Sequence, residues 1–190
     1  PKPGEKDPIA VWNRGFGTFL EMVNTSPQVV VAAVEGYAIA GGFGILCVSD
    51  VAICTEEAGF AMSETAIGIV PAQIAPFVAA RIGVPQTRHL TLTAARFKGP
   101  EAHRLGIAHY LVKDSAALDA KLEELLKQID RCAPIANALT KQVVMKVGTE
   151  PLSQVLDFAA DRFAEARRGP EASEGLRAFA EKRPPRWAAE

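Results

Sequence analysis

The segment from Val29 to Val48 constrains this chain more than any other part of it. Val29-Val30-Val31-Ala32-Ala33-Val34 is a continuous apolar, largely β-branched run, the pattern of a strand buried on both faces of a parallel or layered sheet. Glu35 and glycines at 36, 41, 42 and 44 follow. Hydropathy alone would suit a membrane span, but the charge and the glycines argue against one. A buried strand, a turn and a short buried helix account for the same letters.

The flanking sequence extends this into an α/β pattern. Val11, Trp12, Phe16, Phe19, Leu20 and Val23 recur at helical steps from Pro8 to about Asn24, and Pro27 ends that helix. After the glycines come a predicted helix over 41–48 and strands at 50–54 and 59–62. Helices are expected at 72–82, kinked or broken at Pro76, and at 85–94, with Gly83 between them. A helical turn at 100–105, capped by Gly106, leads into a strand at 107–112. Only helices are expected beyond this point. Leu118, Leu122, Leu125, Leu126 and Ile129 form one apolar face, and Leu152, Val155, Leu156, Ala159 and Phe163 form another. Pro134 and Pro151 open new helices. The 190 residues, 48% of them hydrophobic, can bury one sizeable core. They read as an α/β part, 1–113, followed by a helical subdomain, 114–190.

Charge and cysteine content narrow the function classes. The 21 basic and 22 acidic residues nearly cancel, so no global field draws the chain to nucleic acid or an anionic membrane. Cys47, Cys54 and Cys132 show neither paired nor zinc-ligand spacing, which fits a reducing cytoplasm rather than a disulfide framework. His89, His103 and His109 match no metal motif, and no G-x-S-x-G elbow is present. The opening Pro-Lys-Pro-Gly-Glu-Lys-Asp-Pro lacks the apolar core of a signal peptide and reads as a flexible lead-in.

Two places carry candidate chemistry. Glycines 41, 42 and 44 lie where a buried strand gives way to a helix. Free N–H groups and the positive end of the helix dipole there favour an oxygen that gains negative charge. Cys47 stands where a dinucleotide fingerprint needs its third glycine, so that motif fails. Tight helix–strand packing without a ligand explains the glycines equally well. The second place is Glu64, the one charged residue between Glu57 and Arg81. A lone carboxylate in an apolar run is expected to be partly buried, which suits proton transfer, but Ser63 or Glu64 at a helix start would serve equally as a cap.

Ala33-Val34-Glu35-Gly36-Tyr37-Ala38-Ile39-Ala40-Gly41-Gly42, then Ser49-Asp50, then Ser63-Glu64-Thr65-Ala66-Ile67-Gly68-Ile69-Val70-Pro71 closely resemble the signature of the crotonase (enoyl-CoA hydratase/isomerase) superfamily. Thr91 to Phe97, Ala102 to Ala108 and Glu174 to Arg183 resemble its later blocks in the same order. The resemblance implies a ββα-layered crotonase superhelix whose C-terminal helical region forms a trimer or a pair of trimers. It also implies a coenzyme A thioester as substrate, with no bound cofactor and no metal. Gly41 matches the family's oxyanion-hole glycine, and Glu64 matches the second of its two catalytic glutamates. Gly44 stands where the first would be. Gly42, Gly44, Pro71 and Gln73 are expected to line the substrate site, with Gln73 and Arg81 as candidate partners of a substrate carboxylate. Phe179 and Lys182, with Arg183, Arg186 and Trp187, are candidate contacts for the coenzyme A adenine and phosphates, although a solvated helix end explains them equally well.

The stretches Gly42 to Ile45 and Gly68 to Val78 resemble hydratases of branched glutaconyl-CoA esters, particularly isohexenylglutaconyl-CoA of acyclic-terpene breakdown and 3-methylglutaconyl-CoA of leucine breakdown. Nothing in the chain resembles the family's N-terminal region, which supplies the other oxyanion donor, so the fold is expected to be N-terminally incomplete. Hydration of an enoyl-CoA is the leading expectation. Gly44 motivates a single-glutamate isomerase as the first rival, and a non-catalytic coenzyme A-binding or oligomerisation module is the second.

Overall fold

The computed structural model describes residue 1 and residues 4–188. They group into two units, one of residue 1 and residues 4–24 and 30–122 and one of residues 25–29 and 123–188. Lys113, where the sequence pattern changes, lies in the first unit; the division itself falls inside the helix Ser115–Asp130.

The first unit opens with helix α1 (Pro8–Asn24), which turns Gly17 and Leu20 inward. Six short strands then form two three-stranded sheets among the described residues. Strands β1 (Val31–Val34), β3 (Val51–Thr55) and β6 (Tyr110–Val112) make one sheet, parallel throughout, in the order β1-β3-β6. The other has the order β2-β4-β5. Strand β2 (Tyr37–Ile39) runs parallel to β4 (Gly59–Ala61), and β4 runs antiparallel to β5 (Arg96–Lys98). Helices α2 (Gly41–Val48), α3 (Ala75–Ile82), α4 (Val84–Thr93) and α5 (Gly99–Arg104) connect the strands. α6 (Ser115–Asp130) follows.

The central strand β3 buries Ala52, Ile53 and Cys54 completely, as its unbroken apolar run requires. Its register with β1 is set at the start. The Asp50 carboxylate accepts the Val30 N–H at 2.8 Å, and the Val30 carbonyl accepts the N–H groups of Asp50 and Val51. On the other edge, the strand expected from residue 107 begins only at Tyr110. The Ala52 N–H there donates to the His109 ring Nδ1 at 3.0 Å instead of to a backbone carbonyl, so the regular ladder starts one residue later.

Strands β2 and β5 are not evident in the sequence. β2 lies in the glycine-bounded stretch that reads as a turn, and it becomes a strand by pairing Tyr37, Ala38 and Ile39 with Gly59, Phe60 and Ala61. In β5, Phe97 lies opposite Phe60. Their rings stack at 5.7 Å, and Phe43 of α2 meets both edge-on at 6.4 and 6.2 Å, which fixes α2 on this sheet. Pro76 does not kink a helix that begins at residue 72. Residues 72–74 form turns and α3 starts at Ala75, so Pro76 falls in the first turn, where its missing N–H is harmless.

The second unit is helical, with α7 (Pro134–Lys146), α8 (Leu152–Arg168) and α9 (Pro170–Ala180). The Glu171 carboxylate of α9 accepts the Ile135 and Ala136 N–H groups at 3.0 and 3.1 Å, so a side chain from one helix satisfies the open N-terminus of another. Among the described residues, no helix is long and apolar enough to cross a membrane.

Candidate active site

Parallel pairing of β2 with β4 sends both strands out at the same end of their sheet. α2 begins just beyond β2, and the 3₁₀ turn Glu64–Ile67 begins just beyond β4. The glycine segment and the lone carboxylate, 20 residues apart in sequence from Gly44 to Glu64, therefore both follow strands that end on the same side of the sheet. Ala40 makes the connection. Its N–H donates to the Ala61 carbonyl at 3.1 Å, and its own carbonyl accepts the Gly44 N–H at 3.1 Å, the first bond of α2. The N–H groups of Gly41, Gly42 and Phe43 precede that bond and have no acceptor within the helix.

Ala40 holds φ 50° and ψ −120°, a region that side chains avoid. Such a conformation costs about 1–3 kcal/mol and persists where the surroundings over-determine it. Here the Ala61 bond on one side and the start of α2 on the other do so.

The glycines divide between the two readings their spacing allows. At Gly42 a Cβ would meet open space, so the backbone is accessible. At Gly41 a Cβ would lie 3.1 Å from Phe16 Cζ, so an aromatic ring from α1 packs against the space where that side chain would be. Gly44, expected to line the substrate site, is buried: a Cβ there would overlap the Ile74 side chain and lie 3.5 Å from Leu20 Cδ1. It is a packing glycine.

Glu64 is 8% exposed, and its Oε2 is buried with no hydrogen-bond partner among the described residues. A capping role for Ser63 is not realised, since its side chain makes no cap bond. The turn closes on itself through Ile69 N–H to Glu64 C=O at 3.1 Å and through Gly68 at φ 78°, where a glycine is needed. A buried carboxylate oxygen without a donor is costly in a fold that satisfies nearly all its buried polar groups, and such exceptions concentrate where chemistry is done.

The other expected residues are placed as follows. Pro71 is buried just after the turn. Gln73 donates from Nε2 to Asn13 Oδ1 at 2.9 Å and occupies the space left by Gly17, so it braces α1. The Arg81 guanidinium faces backbone carbonyls. Its nitrogens donate to the carbonyls of Ser49, Gly106 and Ile107 at 3.0, 3.2 and 2.9 Å, and burial lowers its pKa. Burial also pushes the nearby Cys47 thiol up to about 12, against the pull of Arg81, which leaves it inert.

In the second unit, Phe179 is 85% exposed, and Lys182 is exposed with φ 53°. Arg183 and Arg186 are engaged instead. Arg183 bonds Glu174 and Glu181, and the Arg186 N–H donates to Glu174 at 3.2 Å. The Trp187 indole donates to the Arg131 carbonyl. Among the described residues no group of three metal-ligating side chains converges. Nothing in the sequence marks Phe16 as more than one apolar residue of a helix face, or Thr65 as more than a member of the motif over residues 63–71, because neither carries a distinguishing spacing.

The profile of the family described as enoyl-CoA hydratase/isomerase matches residues 4–190. The chain belongs to this family. Its fold is the crotonase fold. An enoyl-CoA hydratase/isomerase structure from Marinobacter aquaeolei aligns with TM-score 0.94 at 46% identity, over 98% of this chain and 71% of that one. Pseudomonas aeruginosa AtuE aligns with TM-score 0.93 at 50% identity, over 99% and 73%. Among curated relatives, carnitinyl-CoA dehydratase of Citrobacter koseri is 31% identical over 178 residues, 91% of this chain and 67% of that protein. A Thermus thermophilus protein whose name places it among enoyl-CoA hydratases is 33% identical over 165 residues, 87% of this chain and 65% of that protein. The chain spans about two thirds of the length of these curated relatives.

Proposed function

We propose that the protein reversibly adds water across the double bond of an α,β-unsaturated acyl-CoA. The buried Glu64 Oε2, without a partner among the described residues and on the turn that follows β4 as α2 follows its parallel neighbour β2, carries this reading. The Gly41 N–H, at the positive end of α2, receives the thioester oxygen. As the water oxygen bonds to the β-carbon, Glu64 takes its proton and the double-bond electrons move toward the thioester oxygen. Collapse of that enolate draws the proton from Glu64 to the α-carbon, so one carboxylate serves as base and then as acid. Relatives named as a hydratase and a dehydratase, the same reaction in opposite directions, support this choice.

A second reading, double-bond isomerisation, is favoured by the burial of Gly44 under Ile74, which leaves no room for a second carboxylate at that position. Turnover in heavy-oxygen water separates them: a hydratase incorporates solvent oxygen and an isomerase does not. A Glu64→Gln substitution in the whole protein is expected to lose most turnover, and wild-type turnover in that variant rules out both readings. Absence of turnover with any enoyl-CoA in the wild-type protein would favour a non-catalytic module.

For the acyl group, the reading extends to a branched glutaconyl ester such as isohexenylglutaconyl-CoA, supported by the similarity around Gly42–Ile45 and Gly68–Val78. The Arg81 guanidinium, which donates to three backbone carbonyls, is not assigned as the partner of its carboxylate. Exposed Phe179 and Lys182 are assigned to the coenzyme A moiety, and self-association as a trimer or pair of trimers completes the reading. Comparing 3-methylglutaconyl-CoA with crotonyl-CoA tests the acyl class, and light scattering tests the assembly.

A further inference from the structure

The turn that carries Glu64 hydrogen-bonds to another element through a neighbouring side chain. Thr65 Oγ1 donates to the Thr91 carbonyl at 2.7 Å. Thr91 lies in the last turn of α4, where carbonyls run out of helical donors. The N–H that would normally serve it, that of Ala95, turns back to Leu90 at 3.2 Å, because Ala94 takes a left-handed conformation with φ 48° and ends the helix. The Thr65 hydroxyl therefore satisfies a carbonyl that the helix itself leaves open. Thr91 is in turn held by its own hydroxyl, which donates to the Thr87 carbonyl at 2.8 Å, and it is 8% exposed.

Glu64 has no comparable anchor. Its buried Oε2 has no partner among the described residues, and its carbonyl is engaged with Ile69 inside the same turn. The direction of the carboxylate thus follows from the placement of its backbone, and the side-chain hydrogen bond that ties this backbone to the scaffold belongs to the next residue. We infer that Thr65 is the positioning residue for Glu64, fixing the carboxylate by pinning its turn to the open end of α4. The inference rests on the reading of Glu64 as the proton-moving group. Thr65 touches no reacting atom; it restricts where Glu64 stands. A displacement of about an ångström at a proton-transfer group is enough to cost on the order of a hundredfold in rate.

The test is steady-state kinetics of the whole protein with 3-methylglutaconyl-CoA. Thr65→Val keeps the shape and removes the donor. Its kcat is expected to fall on the order of tenfold to a hundredfold while KM stays within about twofold, the signature of an interaction that matters in the transition state rather than in binding. Thr65→Ser, which keeps the hydroxyl, is expected to restore kcat. If Thr65→Val folds poorly, Thr65→Ala is read in the same way. The inference is overturned if the donor-less variant keeps wild-type kcat, if the loss lies in KM alone, or if Thr65→Ser is as impaired as Thr65→Val. A Glu64→Gln control run alongside separates the two levels. Wild-type turnover in that control overturns the Glu64 reading and this inference with it. An inactive control beside an unaffected Thr65→Val overturns the Thr65 inference alone.

Discussion

Ile74 occupies the space that a side chain on residue 44 would need, so the glycine there and the isoleucine facing it form a packing pair inside the first unit. Leu20 of α1 closes the same contact. A larger residue at position 44 therefore meets a full core rather than an open site, and overpacking of this kind costs about 1–3 kcal/mol. Gly44→Ala is expected to lower the denaturation midpoint, and by less when it is made in an Ile74→Ala background. Denaturant titration of the two single variants and the double variant measures the coupling, and strictly additive effects would show that the two residues do not share the space.

Ala40 is the strained residue between β2 and α2. With φ at 50° its Cβ strains the junction between β2 and α2, and removing it should relieve strain while adding freedom to the unfolded chain. Ala40→Gly is expected to be near neutral in stability. Ala40→Val, which is β-branched, should cost more than about 2 kcal/mol and move the Gly41 N–H enough to lower kcat. Chemical denaturation and turnover of the two variants provide the check.

The His109 ring predicts a pH dependence of folding. Its Nδ1 accepts the Ala52 N–H, and Arg81 lies 3.4 Å away. Burial first, and the Arg81 charge second, hold its pKa below the ordinary 6.5. Protonation removes the acceptor and places two cations together. The unfolded chain binds the proton more readily than the folded one, so this contribution to stability is complete above 6.5 and is lost as pH falls through the lowered folded value. Urea midpoints measured from neutral to mildly acidic pH should fall, and His109→Gln should flatten that slope.

Glu174 sets a separate acid limit in the second unit. Hydrogen bonds from Arg183 and then Arg177 lower its pKa from 4.5 to about 2. The sign is that of a depressed carboxylate: the stabilisation is present above 4.5 and disappears as pH falls toward about 2. Glu174→Gln is expected to abolish this part of the acid sensitivity and to loosen Arg183. Helical circular dichroism followed through an acid titration of the two proteins would show it.

Much of this protein is legible in its sequence, because local pattern and burial coincide there. α1 and α2 have the bounds that periodicity and glycine placement predict, and β3 is buried on both faces, as its unbroken run requires. Family membership rests on short motifs whose residues are close together in the chain. Three residues of β2 and three of β5 do not announce themselves, since strands that short owe their conformation to the partners they pair with.

At the candidate site, the sequence by itself determined where a lone carboxylate, Glu64, and a glycine-built helix start, Gly41 and Gly42, stand in the chain. Tertiary structure alone decided what each of them faces. It buried Gly44 under Ile74, turned Arg81 toward three carbonyls, engaged Arg183 with Glu174, and gave Thr65 a carbonyl 26 residues away in the chain. Each of these outcomes depends on groups that become neighbours only when the chain is packed. A hydrogen bond or a filled space is a property of the pair, and the spacing of either residue alone does not contain it.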